Sequence, residues 1–337
     1  MLKTKLIKTS NYIIKILIII LSFGFIGYRL FYKHDVSGVV NRFVDMLSDT
    51  ASRTIIILTF MMMFLNWGIE TLKWQYLIKK IEKVSFIRSF MSVWAGITIG
   101  SFTPNRTGEF FSRAFILEKA NRWEGIFITF IGSLSQQLPT MLFGTIACFF
   151  FYHSFQSGPF HDKLAAYLIL LGISLILTVL FFILYFRLSW LKFLFMKLTP
   201  RKFTEFRTHL HVYTDFSCKE LFNALLLSVI RYAVFAFQFY MLIRICDIDI
   251  PLGDGIMLIS LIYLIMTAIP TFALTEIGVR GSVSILVLEM YLQNTSPALP
   301  DVSSAAFLAA FLIWFINLII PAIIGGFFVF KLKFFRK

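Results

Sequence analysis

Long uninterrupted apolar runs constrain this chain more than any other feature of its sequence. Six runs reach the roughly 20 residues that an α-helix needs to cross a bilayer core, and they lie near residues 12–31, 54–78, 126–152, 164–186, 220–245 and 303–330. With 58% hydrophobic residues, the composition exceeds that of a soluble domain. The sequence therefore predicts an all-α integral membrane protein, with residues 1–337 forming a single polytopic domain.

Two further apolar segments, 89–120 and 255–292, are broken in the middle by proline and polar residues. The pieces on either side, about 15 residues each, reach only about 22 Å as helices and cannot span a core of about 30 Å. We therefore predict two re-entrant helical hairpins with tips near Pro104 and Pro270, entering from opposite faces as in transporters with inverted repeats. Eight ordinary spans, two of them kinked by proline, form the alternative.

The positive charges indicate how the chain is oriented. Most of the 32 Lys and Arg residues fall in five segments, which are residues 1–15, 73–88, 113–124, 187–219 and 331–337. The positive-inside rule makes these segments cytoplasmic, so both termini are expected inside a bacterial cytoplasmic (inner) membrane. The first run lacks a small-residue cleavage site and is expected to remain as a helix. The net charge of +14 then reports topology and attraction to anionic lipid, and nucleic acid is not an expected partner.

Six ionisable residues remain at membrane depth, where each charge costs about 2.5 to 3.5 kcal/mol unless it is paired or hydrated. They are Arg106, Arg231, Arg280, Glu70, Glu109 and Glu276, and their charges balance three to three. Internal ion pairs that only fix helix packing are one explanation. A binding site is the other, because a broken helix also frees backbone N–H groups that attract anions.

The first tip carries the strongest candidate site. A helix that begins near residue 106 would place Arg106, Glu109 and Arg113 on one face, and arginine suits phosphate. Asn105 or Thr107 is predicted to cap this half-helix and Thr275 the second. The predicted headgroup-binding residues are Arg106, Glu109, Arg113, Glu276 and Arg280, and the supporting cavity residues are Pro104, Asn105, Gly108, Glu70, Trp74, Gln136, Arg231, Pro270 and Gly278.

Three stretches carry a family resemblance: "NWGIETLKWQYLI", "AGITIGSFTPNRTGEFFSRAFIL" and "AIPTFALTEIGVRGSVSILVL". They resemble the flippase-like integral membrane family related to the transmembrane region of lysylphosphatidylglycerol synthases. The Pro104, Arg106, Gly108, Glu109 and Arg113 pattern is the most specific part. The second tip departs from the family, which usually has a Gly-rich turn there. The resemblance implies a translocase that moves a polar or anionic lipid headgroup, without the aminoacyl transfer that synthases perform in a separate soluble domain.

Other functions receive less support. No phosphate-binding loop of the G-x-x-x-x-G-K-[ST] type is present, so ATP hydrolysis is not expected. No soluble aminoacyl-transferase domain is recognised either, and the protein is not expected to be an enzyme. The alternatives are a lipid-binding accessory subunit of an envelope lipid-modifying enzyme and a small lipid-linked glycosyltransferase that uses Asp247 and Asp249. His209 and His211 do not share a helical face, so no metal is expected, and no cofactor motif is found.

The expected partners are membrane lipids of the phospholipid or polyprenyl-phosphate type. The sequence leaves open which lipid is bound, the direction and energy coupling of transport, and the oligomeric state, including a homodimer.

Overall fold

The computed structural model describes residues 36–151, 164–271, 273–295 and 302–329, and within these ranges all regular structure is helical. The predicted first membrane helix, at 12–31, lies outside them. The helices are α1 Val36–Ser48, α2 Thr50–Ile78, α3 Phe86–Ser101, α4 Gly108–Ala114, α5 Arg122–Phe150, α6 Leu164–Phe186, α7 Leu188–Leu198, α8 Thr204–Thr208, α9 Cys218–Ile245, α10 Leu252–Thr267, α11 Ala273–Thr295 and α12 Val302–Val329.

Four of the described helices, α2, α5, α9 and α12, are long and apolar enough to cross a membrane. A fifth candidate is Leu171–Phe186 together with α7, which bends away from it by 94°. Large apolar side chains such as Ile57, Met61 and Leu65 are exposed along α2, as a lipid-facing surface requires. The membrane class is thus confirmed, while the count of six full spans plus two hairpins stays a prediction.

Polar caps explain where several helices begin. Asp49, Ser85 and Asn121 each accept a hydrogen bond from a backbone N–H in the first turn of α2, α3 and α5. Ser217 forms a reciprocal capping box with Glu220 at the start of α9. Such caps satisfy donors that a helix start leaves without partners. They place the starts of these helices in the polar connections between apolar runs.

The first broken segment folds as a helical hairpin. Helix α3 has 16 residues, the chain turns at 102–107, and α4 returns with only 7 residues. Glycine permits close contact between the two arms, because a Cβ added at Gly100 would lie 2.6 Å from Glu109 Cγ. In the second segment α10 has 16 residues and α11 has 23. The predicted arm length of about 15 residues is therefore wrong for both return arms.

The two hairpins lie end to end along α5 and α12. Near its start, α5 contacts the end of the first hairpin, where a Cβ on Gly125 would meet Leu117. Near its end, α5 contacts α10, where a Cβ on Gly144 would meet Leu264. Helix α12 runs the other way, since its first half packs on α11 and Gly325 near its end packs on α3. Each hairpin therefore occupies about half the length of these helices.

The tips of the two hairpins meet. Asn105 N–H donates to the carbonyl oxygen of Thr271 at 2.8 Å. Thr271 N–H donates in return to Asn105 Oδ1 at 3.1 Å. These residues follow Pro104 and Pro270, so the tips form at the two predicted prolines. Each tip thus provides an acceptor for a backbone N–H of the other tip that has no partner within its own helices.

The packing of the first half of the chain recurs in the second half. Helix α2, the first hairpin and α5 follow one another as α9, the second hairpin and α12 do. Helices α2 and α9 pack against each other, and each final helix packs on the first arm of the other hairpin. The contact pattern is therefore the same when each helix of the first half is replaced by its counterpart in the second half.

Candidate functional site

The first tip has an unusual backbone. Pro104 opens a 3₁₀ turn that runs to Arg106, and the φ angles of Asn105 and Arg106 are 48° and 56°. Asparagine tolerates this left-handed region, whereas an arginine there costs of the order of 1–3 kcal/mol. The turn lets the Arg106 side chain lie against Glu109, with Arg106 Nε 3.0 Å from Glu109 Oε1. A strained backbone therefore positions the most exposed arginine of this tip.

The capping predictions for the return arms are wrong. Helix α4 begins at Gly108, and Gly108 N–H donates to the Thr103 side chain at 2.8 Å. Thr107 stands at the N-cap position, but its hydroxyl donates to the Pro104 carbonyl oxygen at 3.1 Å and forms no capping bond. Asn105 lies in the left-handed turn and accepts a hydrogen bond from Thr271 N–H instead. Thr275 lies within α11, which starts at Ala273.

Gly108 itself allows a close backbone approach. A Cβ added there would lie 2.9 Å from the carbonyl oxygen of Ile99 on α3, so a larger residue would separate the two arms of the hairpin.

Glu70 on α2 is the centre of the charged network. Its Oε1 lies 2.7 Å from Arg113 Nη1, and its Oε2 lies 2.9 Å from Lys73 Nζ and 3.5 Å from Arg231 Nη1. Arg113 Nη2 also lies 2.7 Å from Glu109 Oε2. The structure therefore brings together the predicted residues of the first tip, of α2 and of α9 in one cluster.

Lys73 is the important residue that the sequence prediction missed. Its side chain is only 1% exposed, and its Nζ lies 3.2 Å from Gln136 Oε1 and 3.3 Å from Ser228 Oγ. Arg113 is also buried, although both residues fall in segments assigned to the cytoplasm. The predicted balance of three cations and three acids is therefore wrong. The i,i+3 spacing from Glu70 was the signal that could have found Lys73.

The second tip contains one predicted ion pair. Glu276 Oε1 lies 2.6 Å from Arg280 Nη2. The Arg280 guanidinium also lies 5.8 Å from the centre of the Phe235 ring and 5.7 Å from that of Tyr263. Among the described residues, Arg280 Nε and Nη1 have no hydrogen-bond partner. Two buried N–H donors thus remain for another acceptor.

Two cavities adjoin these charges. One of about 300 Å³ is lined by Arg106, Arg231, Glu276 and Arg280. The other, of about 200 Å³, is lined by residues of the first tip together with Glu70. Both are lined by Trp67, Arg106, Gln136, Gln137 and Arg231. These shared residues connect the two groups of charges.

Five of the predicted supporting residues line neither cavity, namely Pro104, Gly108, Trp74, Pro270 and Gly278. Trp74 is buried in the apolar core, and its indole N–H donates to Thr129 at 3.0 Å. Pro270 lies in the break between α10 and α11, and Gly278 is buried within α11. Trp67, one helical turn from Glu70, takes the cavity position instead, with the Arg231 guanidinium 4.8 Å from its ring centre.

A widened turn of α12 adds a polar group to the larger cavity. Residues Phe315–Ile319 form a π-helical turn, and Asn317 at its middle lines the cavity. Its carbonyl oxygen accepts a hydrogen bond from Trp67 Nε1 at 3.1 Å. Its side chain accepts one from Asn66 Nδ2 at 3.2 Å. A lone asparagine in an apolar run was the sequence signal for this position.

The whole arrangement carries more positive than negative charge. The cationic side chains are those of Lys73, Arg106, Arg113, Arg231 and Arg280, and the carboxylates are those of Glu70, Glu109 and Glu276. When all are ionised, the described cluster has a surplus of two positive charges. Arginine forks with free N–H groups and a positive surplus are suited to phosphate.

Comparison with known proteins identifies one family. A model described as the lysylphosphatidylglycerol synthase TM region matches residues 12–325, a range that includes both tips and every charged residue of the network. No curated protein and no solved structure matches the chain.

Proposed function

This chain belongs to the lysylphosphatidylglycerol synthase TM region family, and from that premise we propose that it is a lipid flippase-like transporter. It moves a polar or anionic lipid headgroup between the leaflets of the bacterial cytoplasmic membrane. Family membership supports a lipid-related function in the membrane. The translocase activity is our inference from the site.

One observation carries the proposal: a positively charged cluster borders two cavities that share lining residues where the hairpin tips meet. Charges that served only to join helices would need no adjoining space, and they would have their N–H groups satisfied. Here Arg106 and Arg231 line both cavities, and two donor nitrogens of Arg280, Nε and Nη1, lack partners among the described residues. A lipid phosphate supplies the missing acceptors and negative charge.

The proposed architecture explains how such a site could serve both leaflets. We propose six full spans and two re-entrant hairpins that form an inverted repeat, with both termini cytoplasmic. End-to-end hairpins along α5 and α12, with tips joined through Asn105 and Thr271, support this arrangement. A helix of 28 residues measures about 42 Å, so hairpins that share its length meet near the bilayer midplane. Transporters with inverted repeats bind substrates at this depth.

We further propose that the protein is not an enzyme. The glycosyltransferase alternative depends on Asp247 and Asp249, whose side chains are both 86% exposed and paired with Arg42 and Arg244. Neither aspartate is among the residues that line the two cavities. This arrangement resembles a surface loop with exposed ion pairs, which contribute little energy.

Leaflet exchange tests the proposal. Purified protein is reconstituted into liposomes with a fluorescent phosphatidylglycerol, and dithionite measures the fraction of label that becomes accessible. We expect exchange with the wild type and at least a tenfold loss of rate in Arg106→Ala. Arg106 is suited to this test because its side chain is 33% exposed and pairs only with Glu109 among the described salt bridges, so the fold should survive.

Arg244→Ala is the matched control, since it removes an arginine from α9, away from the cavity lining. It should exchange lipid at the wild-type rate. Equal rates in empty liposomes and wild-type liposomes would refute the translocase for this lipid. Saturable lipid binding without exchange would instead favour the accessory-subunit alternative.

A further inference from the structure

A second polar cluster lies outside the charged network, where the segment between α7 and α9 meets α5. Glu124 lies in the first turn of α5. His209 and His211 lie in the 3₁₀ turn His209–Thr214. One ligand atom from each of these three side chains lies within 4.8 Å of the others. Glu124 and His209, which are 85 positions apart in the sequence, are thus brought together.

The hydrogen bonding of His211 indicates what this cluster binds. Its Nδ1 lies 3.0 Å from the carbonyl oxygen of Thr208. A carbonyl oxygen only accepts hydrogen bonds, so Nδ1 carries the proton and Nε2 of the neutral ring presents a lone pair. That Nε2 lies 3.9 Å from Glu124 Oε1 and 4.0 Å from Asp215 Oδ2. A lone pair that faces two carboxylates at these distances leaves room for a cation between them.

The distances suit a metal ion. Zinc bonds to imidazole nitrogen and carboxylate oxygen measure about 2.0–2.2 Å, so two ligands of one ion lie at most about 4.3 Å apart. The spacings of His211 Nε2 from both carboxylates fall within that limit. His209 Nδ1 lies 2.8 Å from Glu124 Oε1, a hydrogen bond whose proton the metal ion replaces as the two ligand atoms move apart. The bond from His211 to Thr208 O is the outer contact that orients a metal-bound histidine.

We propose that Glu124, His209 and His211 form a binding site for a divalent transition metal of the zinc type, with Asp215 as a further ligand. The site departs from the expectation of no metal in the sequence analysis. That expectation considered only whether two histidines share one helical face, whereas the third ligand comes from α5. The bound ion joins the segment between α7 and α9 to the helix that follows the first hairpin.

The fold does not depend on the ion, which makes the proposal testable with variants. The Phe206 ring packs 5.4 Å from Trp123 and 4.9 Å from Phe127, measured between ring centres. These contacts already attach the same segment to α5 by apolar burial. Variants that lose the metal ligands are therefore expected to fold.

Zinc titration of the detergent-purified full chain, after treatment with a chelator, tests the site. We expect the wild type to bind one tight equivalent by calorimetry. His209→Ala and His211→Ala should each weaken binding by more than the 10- to 100-fold typical of losing an outer contact. Glu205→Gln, an exposed acid on the neighbouring helix α8, is the matched control and should bind zinc like the wild type.

X-ray absorption of the zinc-loaded protein provides a second measurement. Nitrogen and oxygen ligands without sulfur are expected, whereas a sulfur ligand would assign the ion to a cysteine such as the exposed Cys218 and overturn the proposal. Wild-type affinity that both histidine variants retain would also overturn it. So would the absence of a tight equivalent in the wild type, which would leave the cluster as a histidine–carboxylate ion pair.

Discussion

The two hairpin tips carry the same Glu-x-x-x-Arg spacing and yet have different surroundings. In the first, the Glu109–Arg113 pair is joined to Glu70 on α2. In the second, the Glu276–Arg280 pair contacts aromatic rings. Gln238, as far from the start of α9 as Glu70 is from the start of α2, donates instead to the Thr59 carbonyl. The neighbouring helix therefore decides whether a tip is firmly cross-linked or has donors left for a ligand.

The largest difference between the tips should appear when their central carboxylates are neutralised. Glu70→Gln leaves buried Lys73 and Arg113 and partly exposed Arg231 without their shared partner. We therefore expect a loss of about 3–5 kcal/mol in unfolding free energy. Glu276→Gln removes one charged hydrogen bond, and we expect a loss of about 1.5–3 kcal/mol in unfolding free energy. Thermal unfolding in detergent, followed by circular dichroism, compares the two. Equal losses would show that the first network is no more cross-linked than the second pair.

The next largest difference between the two hairpins should come from the helices that pack on them. A Cβ added at Gly325 on α12 would lie 2.0 Å from the Trp94 carbonyl oxygen of the first hairpin. One added at Gly144 on α5 would lie 2.5 Å from a side-chain atom of Leu264 in the second. Backbone atoms move less easily than side-chain atoms. We therefore expect the unfolding free energy to fall by about 3 kcal/mol in Gly325→Ala and by about 1 kcal/mol in Gly144→Ala.

The same unfolding measurement checks this order, with Gly326→Ala as the control. A Cβ at Gly326 meets nothing within 4 Å, so that variant should stay within about 0.5 kcal/mol of the wild type. A loss at Gly144 that exceeds the loss at Gly325 would reverse the comparison.

Asn105 supports the contact between the tips in two ways, through its side-chain acceptor and through its left-handed backbone conformation. Asn105→Ala loses the Oδ1 acceptor of Thr271 N–H and places a poorly suited residue at a φ of 48°, so we expect a loss of about 2 kcal/mol. Asn105→Gly loses only the acceptor, because glycine adopts this φ freely, and should cost about 1 kcal/mol. Chemical denaturation measures both. Equal costs would exclude a contribution from the backbone conformation.

The smallest expected effect is a pH dependence at the base of the first hairpin. Glu82 accepts N–H bonds from Glu118, Lys119 and Ala120. Burial opposes ionisation, but these donors outweigh it and hold the Glu82 pKa below its ordinary 4.5. A lowered pKa stabilises the fold above 4.5 and ceases to do so as the pH falls through the folded value.

We therefore expect the unfolding free energy of the wild type to fall by about 1 kcal/mol more than that of Glu82→Gln between pH 7 and pH 3. Melting temperatures of both proteins across this range provide the test. Parallel curves would show that Glu82 does not anchor the hairpin by its charge.

The sequence predicted the tips well, because proline and charge interrupt apolar runs at Pro104 and Pro270. It also predicted Arg106 and Glu109, since the cost of charge in a membrane makes such residues conspicuous. Arg113 was predicted because helical spacing places it on the same face as these two residues. It offered only the i,i+3 spacing from Glu70 as a signal for Lys73, which lies close to the predicted cytoplasmic lysines. The burial of Lys73 depends also on helix rotation and on distant partners such as Ser228. Long-range contacts of this kind have no local pattern.

The π-helical turn in α12 determines which single-residue deletion this helix can absorb. Each residue of a regular helix turns the next by about 100°, and a π turn accommodates one residue more than an α-helical turn. Deleting one apolar residue within Phe315–Ile319 would therefore let the turn become regular and leave the helix on either side facing as before. Deleting a residue between Ile320 and Gly325 would instead rotate Gly325 away from Trp94, while Asn317 keeps its bond to Trp67. A deletion inside the π turn should therefore be tolerated better than one in the regular helix that follows it.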